Sequence, residues 1–478
     1  MPRTVGHTWP ERRSRQGRLL RARRSPREYR PEARRADPRC ARGWSRGAAG
    51  PDRTRHARAF RWPHVIVAER LRPHVFRLPI EKIRAGYKSD IYFARTKLIL
   101  ERDKRHERVT MQVFQKHPDA VVVGTDQTLA ILHVGAGHYR DRTRADALFD
   151  RYLSAERRLY SAWTLLPTLD WSAYEPVARE VFEISRELAS LWQPAGQDLD
   201  VSSLYDGEIA KPHEPVMHIE GEYAEFAHLE TLYLGALSEG TRVATNTRDV
   251  VAAANGKPVI MFGARHQVHE AQAGSGYAAY VGGATAVSTD EQGEWWGSTG
   301  LGTVPHALIA VYGGDTTVAT LKFDEYINRA PEAHALGARL WGVRVDTSES
   351  LVDRAILREL EEKEGVASGE LRGVTPRLVE LVREALDRNG YRHVRIVVSG
   401  GFDAEKIRSF EELRVPVDVY GVGSALVHGA GFDHTADIVR VGGRPLSKTG
   451  RGYIASDRLH RVDWPSLVGE PDWARSSS

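Results

Sequence analysis

The chain has 478 residues, 41% of them hydrophobic and 27% charged, which suffices for two or three domains around a large buried core. No apolar run approaches the ~18 residues that a membrane-spanning helix needs, and no apolar signal core follows Met1. The single cysteine, Cys40, excludes an intrachain disulfide and a cysteine-rich zinc site, so a cytoplasmic protein without membrane association is expected. The formal charge of +5 is unevenly spread. Residues 1–62 hold 19 Arg, no Lys and 5 acidic residues, which leaves 49 basic against 58 acidic residues in the remainder.

The segment 1–62 alternates Arg with Pro, Gly and Ala and has no hydrophobic period. It has too little apolar surface to offset chain entropy, so disorder is expected there. Its composition fits a nucleic-acid arm or a targeting peptide. Translation from a start codon set too far upstream in a GC-rich gene explains it equally simply and is preferred, so nucleic acid is not an expected partner.

Structure is expected from Val65, where VIVAERLRP and HVFRLP precede a helix. Ser89 or Asp90 suits the N-cap of a helix that runs through Tyr92 and Phe93 into LILERD. VTMQVFQ and AVVVG read as strands, and TLAILHV as a helix. Residues 140–195, rich in Arg, Glu, Ala and Leu, read as helices with Trp171, Tyr174 and Trp192 as packing residues. Antiparallel strands follow in GEIAKPHEPVMHIEGEYAEF. The helix HLETLYLGALSEG comes next, and its His228 and Glu230 suit capping or surface roles better than chemistry.

After Thr241 the pattern changes to strand–turn–helix units: KPVIMFGARH, AAYVGGATAVST, LGTVPHALIAVYGG, VATLKFDEY, LWGVRVDTSES, HVRIVVSGGFD and VDVYGVGSAL. About seven βα-like units point to an α/β class and come close to an α/β barrel. The last two units share one design, a β-branched run that opens into a glycine turn before a helix. These turns are Ser399, Gly400 and Gly401, and Gly421, Val422, Gly423 and Ser424. Glycines at a strand's carboxyl end let backbone N–H groups close around an anion, and two such turns on neighbouring strands favour phosphate binding over a structural turn.

In a barrel the carboxyl ends of the strands face the active site. Here those ends carry Phe262 and Arg265, Thr285, Ser288 and Thr289, His306, Asp324, and Arg344 with Asp346. Singly, each has a structural alternative: Phe262 as core, the arginines in internal ion pairs, Asp346 as a cap, His306 as a buried histidine. Together they suit a polyanionic sugar phosphate beside a flat ring.

From Tyr87 to the last glycine turn the chain resembles nicotinate phosphoribosyltransferases, especially the compact archaeal-type members. SDIYFART, EGEYAEFAHLET, FGARH, GGATAVS, GTVPHAL, RVDTSES, IVVSGGFD and YGVGSAL carry the resemblance, in the family's order. It implies a type II phosphoribosyltransferase fold. Residues 63–240 would form an N-terminal α/β sandwich with a helical insertion near 140–195, residues 241–430 an irregular α/β barrel, and residues 431–478 a segment returning to the N-terminal domain. It also implies that nicotinate is joined to phosphoribosyl pyrophosphate, giving nicotinate mononucleotide and pyrophosphate for NAD biosynthesis.

By position, the resemblance implies that Phe262 stacks on the pyridine ring and that Tyr92 closes the site from the partner subunit of a homodimer. Arg265 and Arg344 would hold phosphate and carboxylate groups, and Asp346 would stand near the ribose. The two glycine turns would grip the 5-phosphate, and His306 would be the histidine that ATP phosphorylates. Asp346 or Asp324 would stabilise an oxocarbenium-like sugar. Mg²⁺ would be bound mainly through pyrophosphate, with no metal held by the protein alone. Thr285 stands where relatives often carry an acid, and a hydroxyl there suits a ring bearing a carboxylate; His266 replaces the family's second basic residue. Trp295 and Trp296 stand where they would narrow the pocket. Quinolinate phosphoribosyltransferase, which shares the fold, and a nucleic-acid-binding protein acting through the tail are the alternatives.

Overall fold

The computed structural model describes residues 69–165, 171–328, 340–362 and 371–469; the Arg-rich segment and the start of structure expected at Val65 lie outside them. The alternating sequence RVTMQVFQ gives strand β1 (Arg108–Gln115) two different faces. Val109, Met111 and Val113 enter a core shared with Leu129 and Leu132 of the helix Thr125–Gly135. Gln112, also buried, accepts from the Ile454 amide at 2.9 Å and donates to the Gly452 carbonyl at 3.3 Å. A segment near the chain's end thus pairs with the polar residues of β1.

Strand β2 (Asp200–Ser203) pairs antiparallel with β3 (Pro215–Glu222), and β3 pairs antiparallel with β1, placing Met217 opposite Val113 and Ile219 opposite Met111. Between β1 and β2 the helices Arg142–Leu165 and Trp171–Leu191 form a hairpin with its own small core of Ala145, Leu148, Ile184, Leu188 and Trp192. Trp192 is buried as expected. Trp171 is not: it is 64% exposed at the first position of its helix, beyond the reach of that core.

Asp90 does precede the helix Ile91–Arg102, but its side chain makes no cap. It accepts instead from Thr231 Oγ1 at 2.9 Å, while Ser89 Oγ donates to the His228 carbonyl at 2.6 Å. Both bonds anchor that helix to the start of the 24-residue helix Glu230–Ala253. The long helix serves two cores. Tyr233 and Leu237 pack with the first sheet, whereas Val243, Ala244, Val250 and Val251 pack with the second.

The second sheet is wholly parallel and contains β4 (Val259–Met261), β5 (Ala286–Val287), β6 (Gly342–Val345), β7 (Arg395–Val398) and β8 (Val419–Val422), in the order β6-β7-β8-β4-β5. Five of the seven expected units supply its strands. GTVPHAL and VATLKFDEY do not: the helix His306–Val311 follows Pro305, and the helix Thr316–Phe323 is capped by Asp315, whose carboxylate accepts from the Val318 amide at 3.0 Å. A proline before the first turn and an aspartate cap outweigh the β-branched content of these short stretches.

The chain then returns to the first sheet. Strand β9 (His434–Val441) pairs antiparallel with β1, β10 (Arg444–Pro445) extends it beyond β9, and β11 (His460–Arg461) pairs with β2. The resulting six-stranded order is β10-β9-β1-β3-β2-β11.

A buried polar cluster fastens the start of the helix Thr125–Gly135. Gly124 adopts φ +107°, and a Cβ there would collide with the Ala236 carbonyl. Asp206 Oδ1 accepts from the Gly124 and Thr125 amides at 3.0 and 2.9 Å and from Thr125 Oγ1 at 2.8 Å, while Arg70 holds Asp126 at 2.8 Å. Burial, with Asp126 beside it, pushes the Asp206 carboxyl up to about 7. A carboxyl raised in the fold stabilises it below the ordinary carboxylate range and loses that contribution as pH rises through about 7. Asp206→Asn keeps the acceptor without the charge. The variant's unfolding free energy relative to wild type, from denaturant titration, is expected to rise by about 2–3 kcal/mol between pH 5 and pH 8. Parallel pH profiles would refute this assignment.

Candidate active site

The register of the parallel sheet aligns its strand ends. Val345 stands beside Val398, Val398 beside Tyr420, Val422 beside Met261, and Met261 beside Val287. The residues that follow these positions therefore emerge along one edge. Side chains of a strand alternate between faces, and the two faces of this sheet differ. Met261, Val345, Ile396, Val398, Tyr420 and Val422 pack against helices, while Ile260, Val397 and Val419 form a small cluster with Phe262 on the opposite side. Phe262, Arg344, Asp346, Ser399 and Gly421 continue the second set by the period of two. They meet at a cavity of about 120 Å³, which Arg265, His266, Gly400, Gly401, Phe402, Gly423 and Ser424 also line.

Inside this cavity Asp346 is held by two donors. Arg344 Nη1 donates to Asp346 Oδ2 at 2.8 Å, and Ser399 Oγ donates to Oδ1 at 2.6 Å while accepting from Arg344 Nη1 at 3.2 Å. Ser399 is 3% exposed while Arg344 and Asp346 are only partly buried, so the network is partly screened from bulk water, which strengthens its charge-assisted bonds. The Arg344 guanidinium also stands 6.0 Å from the centre of the Phe262 ring. His306 Nε2 lies 3.9 Å from Asp346 Oδ2 at the first position of its helix, with a side chain 71% exposed.

The glycine turns are glycine by steric need. Gly400 and Gly401 have φ +90° and +66°, a region that side chains rarely adopt. A Cβ on Gly421 would enter the Phe262 ring, and one on Gly423 would stand 2.9 Å from His266 Nε2. Phe262 is fixed in turn by its amide, which donates to the Val422 carbonyl at 2.7 Å. The Val422 side chain itself is buried in the helix-facing core and does not reach the cavity.

Other expected site residues stand apart from this lining. Thr285 donates to the Val259 carbonyl at 3.2 Å, and Ser288 uses its amide and hydroxyl on Gln292 Oε1, both at 3.1 Å. Asp324, expected at a strand end, is the C-cap of the helix Thr316–Phe323. Tyr92 is 58% exposed on the helix Ile91–Arg102, outside the cavity. Trp295 packs edge-on against Phe76 and Trp296 stacks on Tyr280, so neither narrows the cavity.

Sequence reasoning missed Phe402 and Glu349. Phe402 directly follows the first glycine turn and is buried among Phe410 and Tyr420. A Cβ on Gly401 would coincide with the Glu349 carboxylate, and the available signal was its place three residues after Asp346 in DTSES. His266, noted only as a substituted position, lines the cavity; burial and then Arg265 and His428 lower its imidazole below its ordinary range. The site thus offers an aromatic face, glycine-walled backbone, one carboxylate and two arginines.

Residues 176–241 match the family model described as quinolinate phosphoribosyl transferase, N-terminal domain. Nicotinate phosphoribosyltransferase pncB1 of Mycobacterium tuberculosis is 34% identical over 316 residues, which cover 57% of this chain and 64% of that one. The chain therefore spans under two thirds of the length of that relative. Nicotinate-nucleotide pyrophosphorylase from Pyrococcus furiosus superposes with a TM-score of 0.55 at 27% identity, over 80% of this chain and 84% of that one. Human nicotinic acid phosphoribosyltransferase gives a TM-score of 0.50 at 18% identity over 76% and 77%, a likeness of fold alone. The chain is thus similar in sequence to nicotinate phosphoribosyltransferase pncB1 over part of that protein's length, and similar in fold to the two solved structures.

Proposed function

We propose that the chain is a nicotinate phosphoribosyltransferase, joining nicotinate to phosphoribosyl pyrophosphate in NAD biosynthesis. The observation that carries this reading is the single cavity in which both glycine turns, Phe262 and the Arg344–Asp346–Ser399 network meet. The glycine turns take the 5-phosphate on backbone N–H groups, and Phe262 offers its face to the pyridine ring. Arg265 and Arg344 meet the anionic groups. The five-stranded parallel sheet is assigned to an irregular α/β barrel domain, and the antiparallel sheet to an N-terminal α/β sandwich.

In the reaction the pyridine nitrogen forms a bond to the anomeric carbon as the bond from that carbon to pyrophosphate breaks, and pyrophosphate leaves with the electron pair. Positive charge on the sugar develops in front of Asp346, whose carboxylate is already oriented by Arg344 and Ser399. The nitrogen needs no general base, so the protein's contribution is placement and charge. Among the described residues no group of three or more His, Cys, Asp or Glu is arranged to hold a metal. Mg²⁺ is assigned to the pyrophosphate because hard oxygen donors are its preferred ligands.

His306 is proposed to take the terminal phosphoryl group of ATP. Its exposed imidazole is open to a nucleotide, and its distance from Asp346 ties it to the transfer site. Tyr92, exposed and outside this chain's cavity, is assigned to the site of a partner subunit in a cytoplasmic homodimer. The matched family model favours a second reading, in which quinolinate is the acceptor and loses CO₂. Two arginines and a histidine at the cavity form a sparse cationic set for a dicarboxylate, and a single carboxylate suits them better.

Product formation from nicotinate and quinolinate in parallel separates the two readings: nicotinate mononucleotide is expected from nicotinate, and labelled CO₂ from quinolinate would overturn it. His306→Ala is expected to abolish stimulation by ATP while slow ATP-independent transfer persists; undiminished coupling of ATP hydrolysis to product would remove the phosphohistidine role. Gly400→Val places a β-branched side chain at φ +90°. It should raise KM for phosphoribosyl pyrophosphate by about tenfold or more, and an unchanged KM would detach that turn from phosphate.

A further inference from the structure

The turn that follows β6 carries a feature that the proposed reaction does not use. Glu349 extends its carboxylate over Gly401, filling the space where a side chain on that glycine would stand. Gly401 belongs to the turn assigned above to the 5-phosphate, and it lines the cavity. A carboxylate and a phosphate are both anionic oxygen acceptors, so a phosphate seated on the backbone of this turn would meet the Glu349 charge at close range.

The backbone beneath Glu349 is pinned. Thr347 Oγ1 donates to Asp353 Oδ2 at 2.8 Å, and the Leu351 amide donates to the Ser348 carbonyl at 2.9 Å. From the other side the Gly373 amide donates to the Leu351 carbonyl at 2.8 Å, Arg372 Nη1 reaches the Ser350 carbonyl at 3.3 Å, and Val352 bridges to Arg372. Gly373 has φ +74°, and a Cβ there would stand 3.2 Å from Glu349 Cα. The side chain is in the opposite condition. It is exposed, and among the described residues no hydrogen bond or ion pair restrains its carboxylate. Rotation about its own bonds carries the charge away from Gly401 while the turn stays in place.

We infer that Glu349 is an internal competitor of the substrate phosphate, a carboxylate that rests on the Gly400–Gly401 turn in the empty enzyme and rotates outward when phosphoribosyl pyrophosphate enters. The inference rests on the assignment of that turn to phosphate. It makes Glu349 a determinant of sugar-phosphate affinity, separate from the catalytic residue Asp346 three positions earlier. Like charges at close range oppose binding, and removing one at a partly exposed site gains a modest factor.

The full-length enzyme with Glu349→Gln, Glu349→Asp and Gly400→Val tests this by steady-state kinetics and by calorimetric titration with inorganic phosphate. Glu349→Gln should lower KM for phosphoribosyl pyrophosphate by about three- to tenfold, leave KM for nicotinate unchanged, and tighten inorganic phosphate binding by a similar factor. Glu349→Asp keeps the charge but shortens the reach by one methylene, so it should shift KM in the same direction. An unchanged or raised KM in Glu349→Gln, with wild type binding phosphate and Gly400→Val failing to bind it, would overturn the competitor role and leave the phosphate turn standing. If wild type itself binds neither phosphate nor phosphoribosyl pyrophosphate, the assignment of the turn falls, and the competitor falls with it.

Discussion

The orientation of one carboxylate sets what the rest of this molecule has to provide. Asp346 is held from two directions, by a guanidinium on its own strand and by a buried hydroxyl on the next. The hydroxyl would not reach it if the parallel register between β6 and β7 slipped by a residue, because a slip of one moves every side chain to the other face. The packing of Val345, Ile396 and Val398 against helices locks that register. Helix-facing hydrophobic residues thereby determine where a charge on the opposite face points.

The same alternation explains why chemistry and core can share such short strands. In segments 343–346 and 396–399 every second residue is committed to the helices, leaving the intervening ones to the face that carries the cavity. Phe262 marks the border between the two roles, since it closes the small apolar cluster of Ile260, Val397 and Val419 and also forms a wall of the site. Gly421 is obliged to be glycine by that ring as much as by any ligand. The long helix Glu230–Ala253 extends the constraint beyond the sheet, because one rigid element fills both major cores.

Legibility in the sequence followed the strength of the local signal. The β-branched runs ending in SGG and GVG are visible as strands with glycine turns, and their side-by-side placement is confirmed by the pairing of β7 with β8. Arg344, Asp346 and Ser399 were each visible, but the bonds that join Ser399 to the other two were not, since they arise from register between segments more than 50 residues apart. GTVPHAL and VATLKFDEY misled because valine and threonine suggest strands, while capping by Pro305 and Asp315 decides short elements. Asp324 was misplaced for the same reason. Trp295 and Trp296 looked like pocket residues from their position in the chain, yet their rings are taken by Phe76 and Tyr280, contacts that no local pattern announces.

The pairing of β9 with β1 has a consequence for synthesis. β1 is complete at residue 115, but its neighbour on one side does not begin until residue 434. A ribosome adding about 5–20 residues per second leaves that edge unpaired for tens of seconds while the parallel sheet is still being made. Its exposed backbone and the valine-rich face behind it are open to chaperones, or to the wrong strand, throughout that interval. Birth of the polypeptide, more than the stability of its finished form, is thus the stage at which this architecture is most exposed to error.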